Sequence, residues 1–241
     1  MWEYLPLVYN FLHSQNFAVD RLFILILKKD LDVFVRFFVK LNAIAITDHN
    51  TIAGAIVARK IYEKDLIIVV GSEISTDFGD IIGIFLNEEI KSRNIYEVID
   101  KIKSQDGLVL IPHPFKTKSM LQIKSIIDHV DLLEGYNSRH PITSKQLIEL
   151  KAMNKPIVAG SDAHFLREIG LSRTIIHYEF ELNNEEEVRR ALLHGIIEIS
   201  GAPSPFYLEP LSQIIKGLKC QDLKLIGWGA LNLVRYSVHE I

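Results

Sequence analysis

Eight short apolar runs, separated by segments of helical spacing, limit this chain to a small set of folds. From Ala43 onward they read "AIAIT", "LIIVVGSEIS", "DIIGIFL", "LVLIPHP", "DLLEGYN", "PIVAGSDAH", "TIIHYEF" and "IIEIS". They are rich in Ile and Val and nearly continuous, as in strands buried on both faces. The segments between them keep a different period. "SRNIYEVIDKIKSQDG" spaces Ile95, Val98, Ile99 and Ile102 for one helical face, with Gly107 as its stop. "NNEEEVRRALLHG" opens on capping asparagines, loads three glutamates into its first turn, and closes on His194 and Gly195. "ITSKQLIELKAMNK" behaves similarly before Pro156. Alternation at this pace implies βαβ units with right-handed crossovers, hence a barrel or a doubly wound sheet.

The apolar share of 48% against 24% charged residues supports a sizeable core in a chain of 241 residues. The expectation is one domain, with an atypical segment over residues 1–40, barrel motifs over 40–205, and a C-terminal helix and tail over 206–241. A net charge of −3 with no basic block argues against general nucleic-acid binding. The lone Cys220 excludes an internal disulfide and a thiolate zinc site. The most apolar windows, "RLFILILKK" and "VFVRFFVKL", are broken by charges and fall short of the ~20 apolar residues of a membrane span. With Glu3 where a signal peptide carries basic residues, the expectation is a soluble cytoplasmic protein.

The polar residues that look out of place all follow predicted strands. Asp48 and His49 follow "AIAIT", Glu73 follows "LIIVVGS", His113 follows "LVLIP", Glu134 follows "DLL", and Asp162 and His164 follow "PIVAGS". In an α/β barrel those strand ends converge on one face, where active sites lie. Imidazole and carboxylate together suit zinc, manganese or iron, and a carboxylate can bridge two ions. Arg139 has the planar fork that matches phosphate oxygens, and Asn137 and Lys116 are further substrate-side candidates. Each has a plainer reading beside it. Asp48 to Thr51 also suits a helix cap, His113 between two prolines a rigid turn, and Glu134 with Arg139 an ordinary ion pair. A serine triad built on Ser161 is disfavoured, because the glycines of a nucleophile elbow are missing.

At these motifs the chain resembles the PHP family, named for its members in DNA polymerases and histidinol phosphatases. "AIAITDHNTIAGA" is similar to its second motif, "GSEIS" to its glutamate motif, "IPHPF" to its later histidine motif and "GSDAHF" to its final Asp-x-His. "LLEGYNSR" is similar to the segment preceding that last motif, and the whole resemblance covers roughly Lys40 to Thr174 in the right order. It implies a distorted (β/α)7 TIM-like barrel with two or three divalent ions (Zn, Mn or Fe) at its mouth, and hydrolysis of a small phosphomonoester by metal-activated water. The resemblance makes His49, Glu73, His113, Asp162 and His164 metal ligands, with Glu73 the bridge. Asp80 falls where many relatives have a ligating histidine, and Glu134 joins the candidate set. Asp48, Asp162 and His164 would position the water or protonate the leaving oxygen.

The family's first motif, His-x-His-Ser, has only a partial counterpart in "NFLHS", where His13 and Ser14 match and Phe11 replaces the first histidine. A non-catalytic scaffold or subunit that has lost part of its metal site is therefore the alternative to an enzyme. A barrel metallohydrolase acting on C–N bonds is a third reading. The first-strand histidine pair and strand-end lysine of that class are not found here.

Overall fold

The computed structural model describes residues 41–62, 66–177 and 183–238, and His13 lies outside the described residues. A strand overlaps each of the eight apolar runs: β1 (Ala43–Ile46), β2 (Ile67–Thr76), β3 (Gly79–Ile84), β4 (Leu108–Ile111), β5 (Leu132–Asn137), β6 (Ile157–Gly160), β7 (Ser172–His177) and β8 (Ile196–Gly201). The described helices are α1 (Ala53–Tyr62), α2 (Ile95–Lys103), α3 (Pro114–Thr117), α4 (Met120–Ile126), α5 (Ser144–Lys151), α6 (Glu185–His194), α7 (Leu208–Cys220) and α8 (Leu223–Val238). None of them is long and apolar enough to cross a membrane.

Strands β1 to β6 form one sheet in sequence order. The pairs β1–β2, β4–β5 and β5–β6 are parallel, whereas β2–β3 and β3–β4 are antiparallel. This departs from the uniform strand–helix alternation expected from sequence. Only Asp77 and Phe78 separate β2 from β3, so β3 must return as a hairpin partner. β7 and β8 form their own antiparallel pair, tied to β6 through the Thr174 hydroxyl, which accepts from Ala159 N and donates to Ala159 O. The outcome is a mixed α/β fold with a curled six-stranded half-barrel, a coarser architecture than the (β/α)7 barrel of the sequence reading.

Alternation along the strands divides the core in two. Val70, Val109, Ile111 and Leu133 pack with Val98, Ile99 and Ile102 of α2, Ile123 and Ile126 of α4, and Leu150 of α5. Their neighbours Val69, Leu108, Leu110 and Leu132 instead pack with Val158 and with Val188 and Leu192 of α6. Both faces of the sheet are therefore covered, which is why the strands read as continuous apolar runs. Asn94 caps α2 by accepting from Tyr96 N and Glu97 N, and Thr143 and Gln146 form a capping box on α5. The tail contains two helices where one helix and a less regular end were expected. Gln221, in a left-handed conformation, turns the chain, and Asp222 caps α8. Gly229 permits their close approach, because a Cβ there would lie 2.6 Å from Ile214 Cγ1.

Ile102 is fully buried where α2 meets the sheet, while Ile148 on α5 is 68% exposed. Ile102→Ala is expected to cost about 2–5 kcal/mol through lost transfer energy and a residual cavity. Ile148→Ala should stay within about 0.5 kcal/mol. Urea unfolding midpoints of the two variants check the difference.

Candidate metal centre

The rim of the half-barrel is built by a strand that outruns its neighbour. β1 pairs with β2 only as far as Val70, and β2 continues for six more residues against β3. The backbone of the loop after β1 satisfies the edge this exposes. Glu73 N donates to Asp48 O at 3.2 Å, Asn50 N donates to Glu73 O at 2.8 Å, and the Ser72 hydroxyl donates to Asp48 O at 3.0 Å. Asn50 then turns away at a positive φ of 57°. Asp48 and His49 are thus fixed beside Glu73, with His49 Nδ1 3.8 Å from Glu73 Oε2. Glu73 sits within β2 rather than beyond its end, yet it reaches the rim because β1 has already stopped.

The hairpin brings in a second carboxylate. Asp80, near the start of β3, pairs across with Ser75, so an antiparallel strand's beginning lies at the same end as the C-termini of the parallel ones. His113 arrives from β4. Its Nε2 donates to Glu73 Oε1 at 3.1 Å, and its buried Nδ1 has no hydrogen-bond partner among the described residues. Ligand atoms of Glu73, Asp80 and His113 all lie within 4.8 Å of one another. That separation is what one cation with bonds of about 2.1 Å spans, and the oxygen–nitrogen donor set suits zinc, manganese or iron. The residues present therefore fit a divalent ion.

The backbone of His113 is itself strained, at φ 29° and ψ 60°. It is held by Glu134 on β5, whose Oε2 accepts from His113 N at 2.6 Å and from Asn137 Nδ2 at 3.0 Å. Glu134 Oε1 lies over Gly160 of β6, where a Cβ would come within 2.3 Å of it, so this acid needs a glycine opposite. Burial pushes the Glu134 carboxyl up to about 7, with Asp162 adding to the rise and hydrogen bonds from His113 and Asn137 opposing it. At Glu73 burial also raises the pKa, but the His113 hydrogen bond and the charges of His49, His113 and Lys116 outweigh it. Its carboxyl is held below the ordinary carboxylate range.

Asp162 and His164 follow β6. Asp162 adopts a positive φ of 51°, its carboxyl is pushed up by burial, and its carbonyl accepts from His164 Nδ1 at 2.9 Å. Asp48, His49, Glu73, His113, Glu134, Asp162 and His164 all line one cavity of about 300 Å³ that runs from this rim into the apolar interior of the curled sheet.

The substrate-side candidates fall out differently. Arg139 gives both arms of its fork to Glu168, Nε to Oε1 and Nη2 to Oε2 at 2.8 Å each, and a third bond to Ser212 Oγ. Its side chain is 4% exposed. Asn137 is likewise occupied, its Oδ1 accepting from Arg139 N and His140 N. Lys116 is exposed, and its charge acts on Glu73 and His140.

Three residues escaped the sequence reading. Glu168, fully buried, accepts from Arg139, from Ser204 Oγ, and from the backbone amides of His164 and Phe165, so it anchors the loop that presents His164. Arg139 and Glu168 together organise the loops after β5 and β6. His140 meets the His113 ring edge-on at 5.6 Å, and is pushed down to about 4, first by burial and then by the charges of Lys116, His113 and Arg139. Lys118 is buried, and its Nζ donates to Asp80 O at 3.1 Å. No local pattern distinguishes these three from surface residues, since each gains its role from contacts between segments distant in sequence.

Residues 147–196 match a family model described as PHP-associated. An uncharacterized protein of Methanocaldococcus jannaschii is 43% identical over 104 residues, covering 42% of this chain and 60% of that protein. A second uncharacterized protein of the same organism is 32% identical over 148 residues, covering 56% of this chain and 58% of that protein. The chain thus spans about three-fifths of the length of these curated relatives. Among solved structures, a two-domain protein from Bacteroides vulgatus containing a predicted PHP-like metal-dependent phosphoesterase superposes with a TM-score of 0.61. It is 16% identical and covers 79% of this chain and 62% of that one, a likeness of fold.

Two outcomes follow from the geometry. Arg139→Ala strands a buried carboxylate and is expected to cost about 3–5 kcal/mol in chemical unfolding. In metal-free protein, the folded state holds the Glu134 proton up to about pH 7, whereas the unfolded chain releases it near 4.5. Glu134 therefore lowers stability progressively as pH rises through that window, by a total on the order of 3 kcal/mol. Glu134→Gln, which retains an acceptor for His113 N, should flatten that slope in unfolding midpoints measured from pH 4.5 to 7.5.

Proposed function

We propose that this chain is a metal-dependent phosphoesterase of the PHP type, acting on a small phosphomonoester at the rim of the half-barrel. The observation that carries this reading is the convergence of Glu73 from β2, Asp80 from β3 and His113 from just after β4 to a separation that one cation spans. Glu73, Asp80 and His113 would hold one ion, and His49, Asp162 and His164 line the same mouth as ligands for another. When bound, divalent cations supply Lewis acidity toward a phosphoryl oxygen and lower the pKa of water.

The chain's own groups supply the rest. Glu134 retains its proton close to neutral pH because it is buried, and its Oε1 over Gly160 is suited to take or return a proton beside Asp162. Among the described residues, the exposed Lys116 is a cation suited to meet a phosphate oxygen, the role its position after β4 suggests. Arg139, whose fork is bound to Glu168, holds the His164 loop rather than a phosphate. The apolar depth of the cavity favours an ester whose alcohol carries an apolar portion.

The test is metal content and turnover together. Purified protein should take up Mn²⁺ or Zn²⁺ near stoichiometrically and hydrolyse p-nitrophenyl phosphate. His113→Ala should reduce both, with kcat/KM falling by about 10²-fold or more through the loss of charge stabilisation. Stoichiometric metal without turnover would favour the scaffold reading.

A further inference from the structure

We propose that Lys118 is a built-in counter-ion of the Glu73–Asp80–His113 cluster, holding the two carboxylates together without a metal and weakening their grip on a divalent cation. The inference rests on the reading of that cluster as a metal site.

Three observations carry it. First, Lys118 is 5% exposed, and a lysine is almost never so buried unless acidic groups compensate it. Second, its ammonium is held in one place: Nζ donates to the backbone carbonyl of Asp80 at 3.1 Å and lies 5.8 Å from the centre of the Phe78 ring. The bond goes to the carbonyl, which leaves the Asp80 carboxylate to the face it shares with Glu73 and His113. Third, the charges acting on Lys118 are Asp80 and Glu73, opposed by Lys116.

The consequence is electrostatic. Two carboxylates with ligand atoms within 4.8 Å repel each other strongly where solvent screening is weak. A positive charge held at the Asp80 backbone, on the same strand end as one of them, offsets that repulsion in the metal-free protein. The same charge repels an incoming divalent ion, so it trades affinity for a site that stays formed and exchanges its metal. Lys118 is a positioning residue on this account, because it acts through Asp80 and Glu73.

Lys118→Gln removes the charge and keeps an N–H donor for the Asp80 carbonyl, and Lys118→Arg keeps the charge. Full-length protein is stripped of metal, titrated with Mn²⁺ by calorimetry, and melted with and without Mn²⁺. Lys118→Gln is expected to bind Mn²⁺ roughly tenfold more tightly than wild type, the order of effect of one nearby charge. It should also melt lower without metal and regain most of that loss at saturating Mn²⁺. Lys118→Arg should stay within about threefold of wild type, since its charge is unchanged. Equal or weaker Mn²⁺ binding by Lys118→Gln, in a wild type that does bind, overturns the counter-ion role and leaves the metal site standing. A Lys118→Gln protein that Mn²⁺ fails to rescue from unfolding overturns it equally. A wild type that takes up no Mn²⁺ overturns the metal reading and this inference with it.

Discussion

The backbone bonds between the Asp48–Asn50 loop and the edge of β2 are the constraint on which the site depends. β1 ends at Ile46 while β2 runs to Thr76. An open strand edge must find partners, because unpaired backbone groups are costly when buried. The loop provides them, through Asp48 O and Asn50 N on either side of Glu73. Because the loop is bonded as a continuation of β1, His49 cannot drift from Glu73. The hairpin to β3 then returns Asp80 to the same rim, and the parallel crossovers bring His113 from β4 and Asp162 from the end of β6.

Gathering so many acids in one partly dry mouth works against stability, and the surroundings show how it is offset. Glu73 is kept ionised by imidazoles and a lysine charge, while buried Glu134 is allowed to stay protonated close to neutral pH. Two carboxyl groups in neighbouring environments are thus pushed apart in pKa, a pattern typical of sites that move protons. The strained backbone of His113 and the positive φ of Asp162 fall at the same rim. Unfavourable conformations of this kind persist only where surrounding contacts over-determine them. Here those contacts are Glu134 for His113, and Glu168 with Arg139 for the His164 loop.

Much of this was legible in the chain because the signals are local. Apolar runs buried on both faces announce strands, and Asn94, Thr143 and Asn184 announce helix starts by chemistry confined to a few residues. The rim residues His49, His113 and Asp162 were visible as polar groups following strands, and Glu73 as an acid inside a strand that otherwise had no use for one. The antiparallel turn at β3 was not anticipated, although its two-residue connection was in plain view, because the surrounding pattern suggested uniform crossovers. Arg139 shows the opposite limit. Its fork suits phosphate, but a buried carboxylate from a distant loop claims it first, and sequence spacing does not reveal which partner wins. Lys118 likewise acquires meaning only against Asp80 of β3, and His140 only against His113.

The central claim is that these converged side chains hold cations, and anomalous diffraction from crystals grown with Mn²⁺ or Zn²⁺ tests it most directly. The account predicts an anomalous peak about 2.0–2.3 Å from oxygens of Glu73 and Asp80 and from a ring nitrogen of His113. An ordered rim with no anomalous peak, or a cation bound elsewhere with Glu73 and His113 still paired to each other, would contradict it.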